Sequence, residues 1–226
     1  MECVEGIVGP GSFVDRLDPD ARHGLQALGW VRSYANCEVA FLQGEAPGRM
    51  GLVIDGLVKV TVVDRSGRTA LLDLRGPGDV IGMTETLDES PRSSTVTAVG
   101  RAQVQLFEID EFRAFLARFG SARRAVSEVI AERLRESVAH RLRTAAPVQA
   151  RLAGQLLRLA GDYGVALDDG AVAIVLPVTQ DDLAMIVDAS RDSVARTLMA
   201  WRRQRIVETG RRRITILSPD RLAACS

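Results

Sequence analysis

Several residue types are scarce in this chain, and each shortage narrows what it can be. Cysteine occurs three times, at Cys3, Cys37 and Cys225. An odd number of such distant thiols makes no disulfide framework and fits the reduced state of a cytoplasm. Three scattered cysteines also cannot supply the four ligands of an iron–sulfur cluster. Histidine is limited to His23 and His140. Two imidazoles in distant segments do not make a cupin-like metal centre, and their spacing gives no support for haem. No Ser–His–Asp or paired-carboxylate motif stands out, so neither an enzyme nor a resident metal is expected. No apolar run reaches the roughly 18 residues that a membrane span needs. The stretch MECVEGIVGPGSF lacks the charged start and apolar core of a signal peptide. The expected location is therefore the cytoplasm, with no membrane partner.

Lysine is almost missing, Lys59 being the sole one, so nearly all positive charge is arginine. Net charge is zero but unevenly spread. Residues 1–110 hold 16 acidic and 10 basic groups, net −6; residues 111–176 hold 7 and 10, and residues 177–226 hold 6 and 9, each net +3. The acidic half is poorly suited to nucleic acid, whereas the C-terminal part suits it. Aromatics are 4%, yet 46% of the 226 residues are hydrophobic, enough for two cores.

Asp18-Pro19 opens a short helix with Leu25 and Leu28 on its inner face. From Cys37 to Ile109, short runs (GLVID, LVKVTVV, TALLDL, STVTAV, AQVQLFEI) alternate with Gly, Pro, Asp and Ser. This pattern predicts an antiparallel sandwich or jelly roll. Gly44, Gly56, Gly67, Gly76 and Gly78 fall at the expected turns, and Asp64–Gly67 reads as a hairpin turn. Next, Ala122–Arg143 reads as one long helix. Its Val126, Ile130, Leu134, Val138 and Leu142 step by four along a stripe flanked by Ser137 and Arg141. Such a stripe packs either against a second copy of the helix or against the sheet. Beyond Pro147, Val148–Tyr163 reads as a helix burying Leu152, Leu156, Leu157 and Leu159. Gly161–Ala171 is loop-like, and Val172–Leu176 is a brief strand.

Thr179–Arg203 reads as two helices and a tight turn. Thr179 caps the first, which carries Leu183, Ile186 and Val187; Ser190 caps the second, with Val194, Leu198 and Trp201 at helical spacing. Arg191, Asp192, Ala195 and Arg196 are left facing outward. This is the pattern of a helix-turn-helix, whose second helix enters the major groove. The segment RIVETGRRRITILS, Arg205–Ser218, adds a hairpin around Thr209-Gly210, with Arg211, Arg212 and Arg213 placed for phosphates.

The order of parts resembles the cyclic AMP receptor protein and FNR (CRP/FNR) family of bacterial transcription regulators. The likeness is carried by FLQGE at Phe41–Glu45, IDGLVKV at Ile54–Val60, GPGDVIG at Gly76–Gly82 and SRDSVAR within Thr179–Leu198. It implies an α+β chain. An N-terminal antiparallel jelly-roll effector domain (13–120) would precede a dimerisation helix (121–146) and a C-terminal winged helix-turn-helix (147–226). It further implies a homodimer on double-stranded DNA, its recognition helices about 34 Å apart, and RNA polymerase contact through Gly161–Ala171. Arg191, Asp192 and Arg196 would read bases; Thr179, Ser190, Ser193, Arg211 and Arg212 would contact phosphates. Asp188 stands where the turn usually has Gly, and Asp tolerates positive φ better than most residues.

Cyclic AMP or a related nucleotide is the effector the resemblance implies. Gly82, Thr84, Glu85, Arg92 and Ser93 would form its pocket, with Ser137 near the base and coupled through the long helix to the DNA-binding end. An arginine fork with a hydroxyl and free amides suits an anionic phosphate. Two departures stand against this. Met83 replaces the glutamate that bonds the ribose, with Glu85 the nearest substitute, and the loop is one residue shorter. The alternative partners for Arg92 are Glu85, Asp88 and Glu89. A regulator that binds DNA without nucleotide, and a signalling module whose helix-turn-helix contacts protein, remain as alternative readings.

Overall fold

The β-branched runs of the N-terminal half pair into one antiparallel sheet. A computed structural model describes residue 9 and residues 11–85, 90–143 and 146–226. Cys3, Asp88, Glu89 and the side chains of Arg141 and Leu142 lie outside the described residues. The chain divides into two compact units, Met1–Glu136 and Ser137–Ser226.

In the first unit, helix α1 (Pro19–Gln26) is capped by the Asp18 carboxylate, which accepts from the Ala21 amide at 2.8 Å. Strands β1 (Trp30–Tyr34), β2 (Val39–Phe41), β3 (Arg49–Val63), β4 (Thr69–Arg75), β5 (Val80–Ile81) and β6 (Thr95–Glu108) follow. The sheet runs β1-β6-β3-β4, with β2 paired to β6 and β5 to β3. The Asp64–Gly67 turn forms as expected, its Asp64 Oδ1 accepting from the Ser66 and Arg68 amides.

Strand number differs from the sequence reading. GLVID and LVKVTVV are a single strand, β3, and STVTAV and AQVQLFEI are a single strand, β6. Gly56 is therefore a bend rather than a turn. Its φ is +78°, the β3–β6 register shifts across it between Asp55 and Leu57, and a Cβ there would lie 2.3 Å from the Arg101 carbonyl oxygen. The glycine lets one long strand turn the corner of the roll. Gly56→Ala should cost about 2–4 kcal/mol of stability. Thermal denaturation would show it, and an unchanged melting temperature would mean that the corner yields freely.

The few aromatics are concentrated. Phe13, Phe107, Phe112, Phe115 and Phe119 form a chain of ring contacts, with centroids 5.1–6.0 Å apart. Phe112 and Phe115 come from α2 (Ile109–Arg118), which packs there on β6. The long helix α3 (Gly120–Arg143) adds Ala122, Ala125, Val126 and Val129 to this core. Its apolar stripe then emerges: Ile130, Leu134 and Val138 are 38, 65 and 51% exposed. Val126 thus packs within its own unit, while the next three positions offer an open apolar face.

The second unit holds α4 (Val148–Tyr163), β7 (Gly164–Ala166), β8 (Val172–Ile174), α5 (Gln180–Ile186), α6 (Arg191–Arg203), β9 (Val207–Gly210), β10 (Arg213–Ile216) and α7 (Pro219–Ala223). Its sheet runs β7-β8-β10-β9. Leu152, Leu156 and Leu159 of α4 are buried. Leu157, one position off that stripe, is only half-buried. The stretch read as a loop before Val172 contains β7, paired to β8.

Candidate effector pocket and nucleic-acid interface

Strand β5 is followed directly by Gly82, whose φ is +70°. A Cβ there would fall 2.4 Å from Arg92 Nη1 and 3.1 Å from the Phe41 ring, so a glycine is needed for Arg92 to approach. Arg92 is fixed by its backbone, which exchanges 2.8 Å bonds with Gly44 and Glu45 in the FLQGE turn. Its guanidinium donates to the Gly82 carbonyl at 3.3 Å and to the Arg49 carbonyl, and its Cζ sits 4.1 Å above the Phe41 ring. Phe41 as a cation–π partner was not evident from its motif alone.

Glu85 supplies the anion. Its Oε1 accepts from the Ser93 amide at 3.0 Å and from Ser93 Oγ at 2.6 Å, while Oε2 lies 3.5 Å from Arg92 Nη1. Both residues are deeply buried, Glu85 at 4% and Arg92 at 5% exposure. Burial pushes the Glu85 carboxyl up, but the Ser93 bonds and the Arg92 charge outweigh it and hold the carboxyl below its ordinary value of 4.5. Burial lowers the Arg92 guanidinium, opposed by Glu85. With a depressed folded value, Glu85 contributes stability that is present above its ordinary value and lost as pH falls through the lowered one.

Gly82, Glu85, Arg92 and Ser93 thus come together. Thr84 is exposed beside them, and Ser137 is an exposed residue of α3 in the second unit. Met83 turns into the apolar core with Met50 and Phe107. A carboxylate at position 83 would therefore meet hydrocarbon rather than a ribose.

In the second unit, Thr179 caps α5. Its Oγ1 accepts from the Asp182 amide at 3.1 Å and donates to Asp182 Oδ2 at 2.7 Å. The cap occupies this hydroxyl. The turn follows at Asp188, with φ +49° as its type permits. Ser190 caps α6 by accepting from the Ser193 amide at 3.2 Å, and Arg196 Nη2 donates to Ser193 Oγ at 3.3 Å. Val194, Leu198 and Trp201 are buried, leaving Arg191, Asp192 and Arg196 exposed on the outer face. Arg191 Nε lies 3.7 Å from Asp181 Oδ1, a partner the sequence did not single out.

Two further differences concern the hairpin and its support. The wing turns at Arg211-Arg212, two residues after Thr209-Gly210, because Gly210 pairs with Arg213 and Arg212 takes φ +57°. Arg151, in the first turn of α4, donates to the carbonyls of Val187 at 2.7 Å, Asp188 at 3.0 Å and Ala146. It braces the tight turn from outside the two helices that the turn joins. Nothing in the sequence marks Arg151 among so many arginines.

Among the described residues, no group of three His, Cys, Asp or Glu could hold a metal, and no helix is long and apolar enough to cross a membrane. Residues 31–119 match the model of the cyclic nucleotide-binding domain, and residues 150–225 match that of the Crp-like helix-turn-helix domain. The chain is 30% identical over 223 residues to a CRP-like cAMP-activated global transcriptional regulator of Mycobacterium tuberculosis, covering 97% of this chain and 98% of that one. It is 27% identical over 180 residues to a cyclic AMP receptor protein of Thermus thermophilus, 79% of this chain and 80% of that one. Among solved structures, FixK2 of Bradyrhizobium japonicum superposes with a TM-score of 0.75 at 22% identity, over 87% of this chain and 96% of that one. The last likeness bears on fold alone.

Proposed function

The chain belongs to the CRP/FNR family of transcription regulators, and from that premise we propose that it acts in the cytoplasm as a homodimer on a specific double-stranded DNA operator. The division of labour proposed is an effector domain at 13–120, a dimerisation helix at 121–146 and a DNA-binding domain at 147–226. The observation that carries this reading is the outer face of α6. Arg191, Asp192 and Arg196 are exposed at the start of a helix whose opposite face is buried. That arrangement suits base edges in a major groove. Ser190, Ser193, the helix start at Thr179 and the wing arginines Arg211 and Arg212 would hold phosphates around it.

Genome-wide footprinting at two salt concentrations, with and without cyclic AMP, tests the proposal. Discrete sites whose occupancy falls with salt are expected. Binding that ignores both sequence and salt would favour a module that contacts protein. Arg212→Gly isolates one phosphate contact. It removes a charge and also relieves the positive φ, so stability should hold or rise. Affinity should fall alike on all sequences, with a shallower salt slope. A loss confined to the operator would instead give Arg212 a base-reading role.

For the effector, the relatives' names point to cyclic AMP, and the Arg92–Ser93 corner is chemically suited to its phosphate. DNA binding without nucleotide is favoured by a different observation, the Glu85 carboxylate held by those same two residues. The β7–β8 hairpin, with Val165 exposed, is the proposed contact for RNA polymerase.

A further inference from the structure

We propose that Glu85 is the specificity-determining residue of this pocket: its carboxylate occupies the anion subsite, so a cyclic phosphodiester enters only by displacing it. The inference rests on reading the Arg92–Ser93 corner as that subsite.

A carboxylate and a phosphodiester each carry one negative charge on two oxygens attached to a single atom. Ser93 can give one amide and one hydroxyl proton, and both go to Glu85 Oε1. Arg92 is already shared among Glu85 Oε2, the carbonyls of Gly82 and Arg49, and the Phe41 ring. Both Ser93 donors and the Nη1 corner of Arg92 that faces them are thus engaged by Glu85 before a second anion arrives. Two full negative charges could not share the corner either, because like charges in a buried site repel strongly.

The contest is unequal. Glu85 is tethered three residues beyond Gly82, so its carboxylate acts at a high effective concentration without losing translational freedom. A ligand's apparent affinity falls by the fraction of molecules in which the site is open. If Glu85 withdraws in about one molecule in a hundred, binding weakens about a hundredfold. Withdrawal is also costly in itself, because it leaves the buried Arg92 without its counter-ion until the ligand arrives.

The test compares the wild-type chain with Glu85→Ala, Glu85→Gln and Arg92→Ala. Thermal shift would be read with acetate, inorganic phosphate and cyclic AMP, and calorimetry with cyclic AMP. Glu85→Ala should melt lower than the wild type and recover selectively in acetate or phosphate, which refill the vacated place. It should bind cyclic AMP at least tenfold tighter than the wild type. Glu85→Gln keeps the shape but loses the charge; it should bind cyclic AMP tighter than the wild type too, and it carries the test if the alanine variant fails to fold. Equal cyclic AMP affinity in the wild type and both Glu85 variants would overturn the proposal, as would tighter wild-type binding. Anions that raise the melting temperature of the wild type and Glu85→Ala alike would overturn it as well. Failure of the underlying reading has a different signature: Arg92→Ala would bind cyclic AMP as well as the wild type, placing the phosphate elsewhere.

Discussion

Leu134→Glu should make the protein monomeric without unfolding it. Leu134 is 65% exposed, with Ile130 and Val138 one turn to either side, so a glutamate there is fully solvated in a single chain. In a dimer built along this stripe, two carboxylates would be pressed together in an apolar seam, at a cost of several kcal/mol. Operator affinity should then fall by orders of magnitude, since each half-site would be bound separately. Light scattering reads the mass, circular dichroism reads the fold, and a DNA titration reads the consequence. A folded variant that remains dimeric would remove this stripe from the interface.

Arg191→Ala should cost about 1–3 kcal/mol at the true operator and relax the preference at one base pair. In the structure Arg191 faces Asp181, but both side chains are about two-thirds exposed, at 67% and 65%. Such a pair is held weakly and gives way easily to a guanine edge. Asp181→Ala offers the contrast: it removes a negative charge near the phosphates and should leave affinity unchanged or improved. Competition binding on single-base operator variants distinguishes the two. Unchanged binding of Arg191→Ala on every sequence would move base reading to another face.

The helix-turn-helix was legible because its signals are local. Thr179 and Ser190 mark the caps, and Val194, Leu198 and Trp201 mark the buried face within a few residues of each other. The strands were miscounted for an equally local reason. Gly56 reads as a turn, although its positive φ lies inside a continuous strand, and Gly100 interrupts β6 in the same way without ending it. The wing turn was misplaced because Gly210 is the expected turn residue, yet pairing with Arg213 leaves the positive φ to Arg212. The site was half legible. Arg92 and Ser93 form a visible dipeptide, but which carboxylate meets them depends on how β5 and the FLQGE turn converge. Phe41 and Arg151 act across long separations that no spacing rule exposes.

Arg151 grips the turn through carbonyl oxygens, a feature every amino acid presents alike. Those backbone bonds ask nothing of side-chain chemistry, while the positive φ at Asp188 still favours a residue that tolerates it. The three carbonyls that Arg151 reaches all precede α6, whose outer face carries Arg191, Asp192 and Arg196. Descendants of this gene could exchange the outer residues of α6 one at a time and acquire new operators, while the angle at which that helix is presented stays inherited.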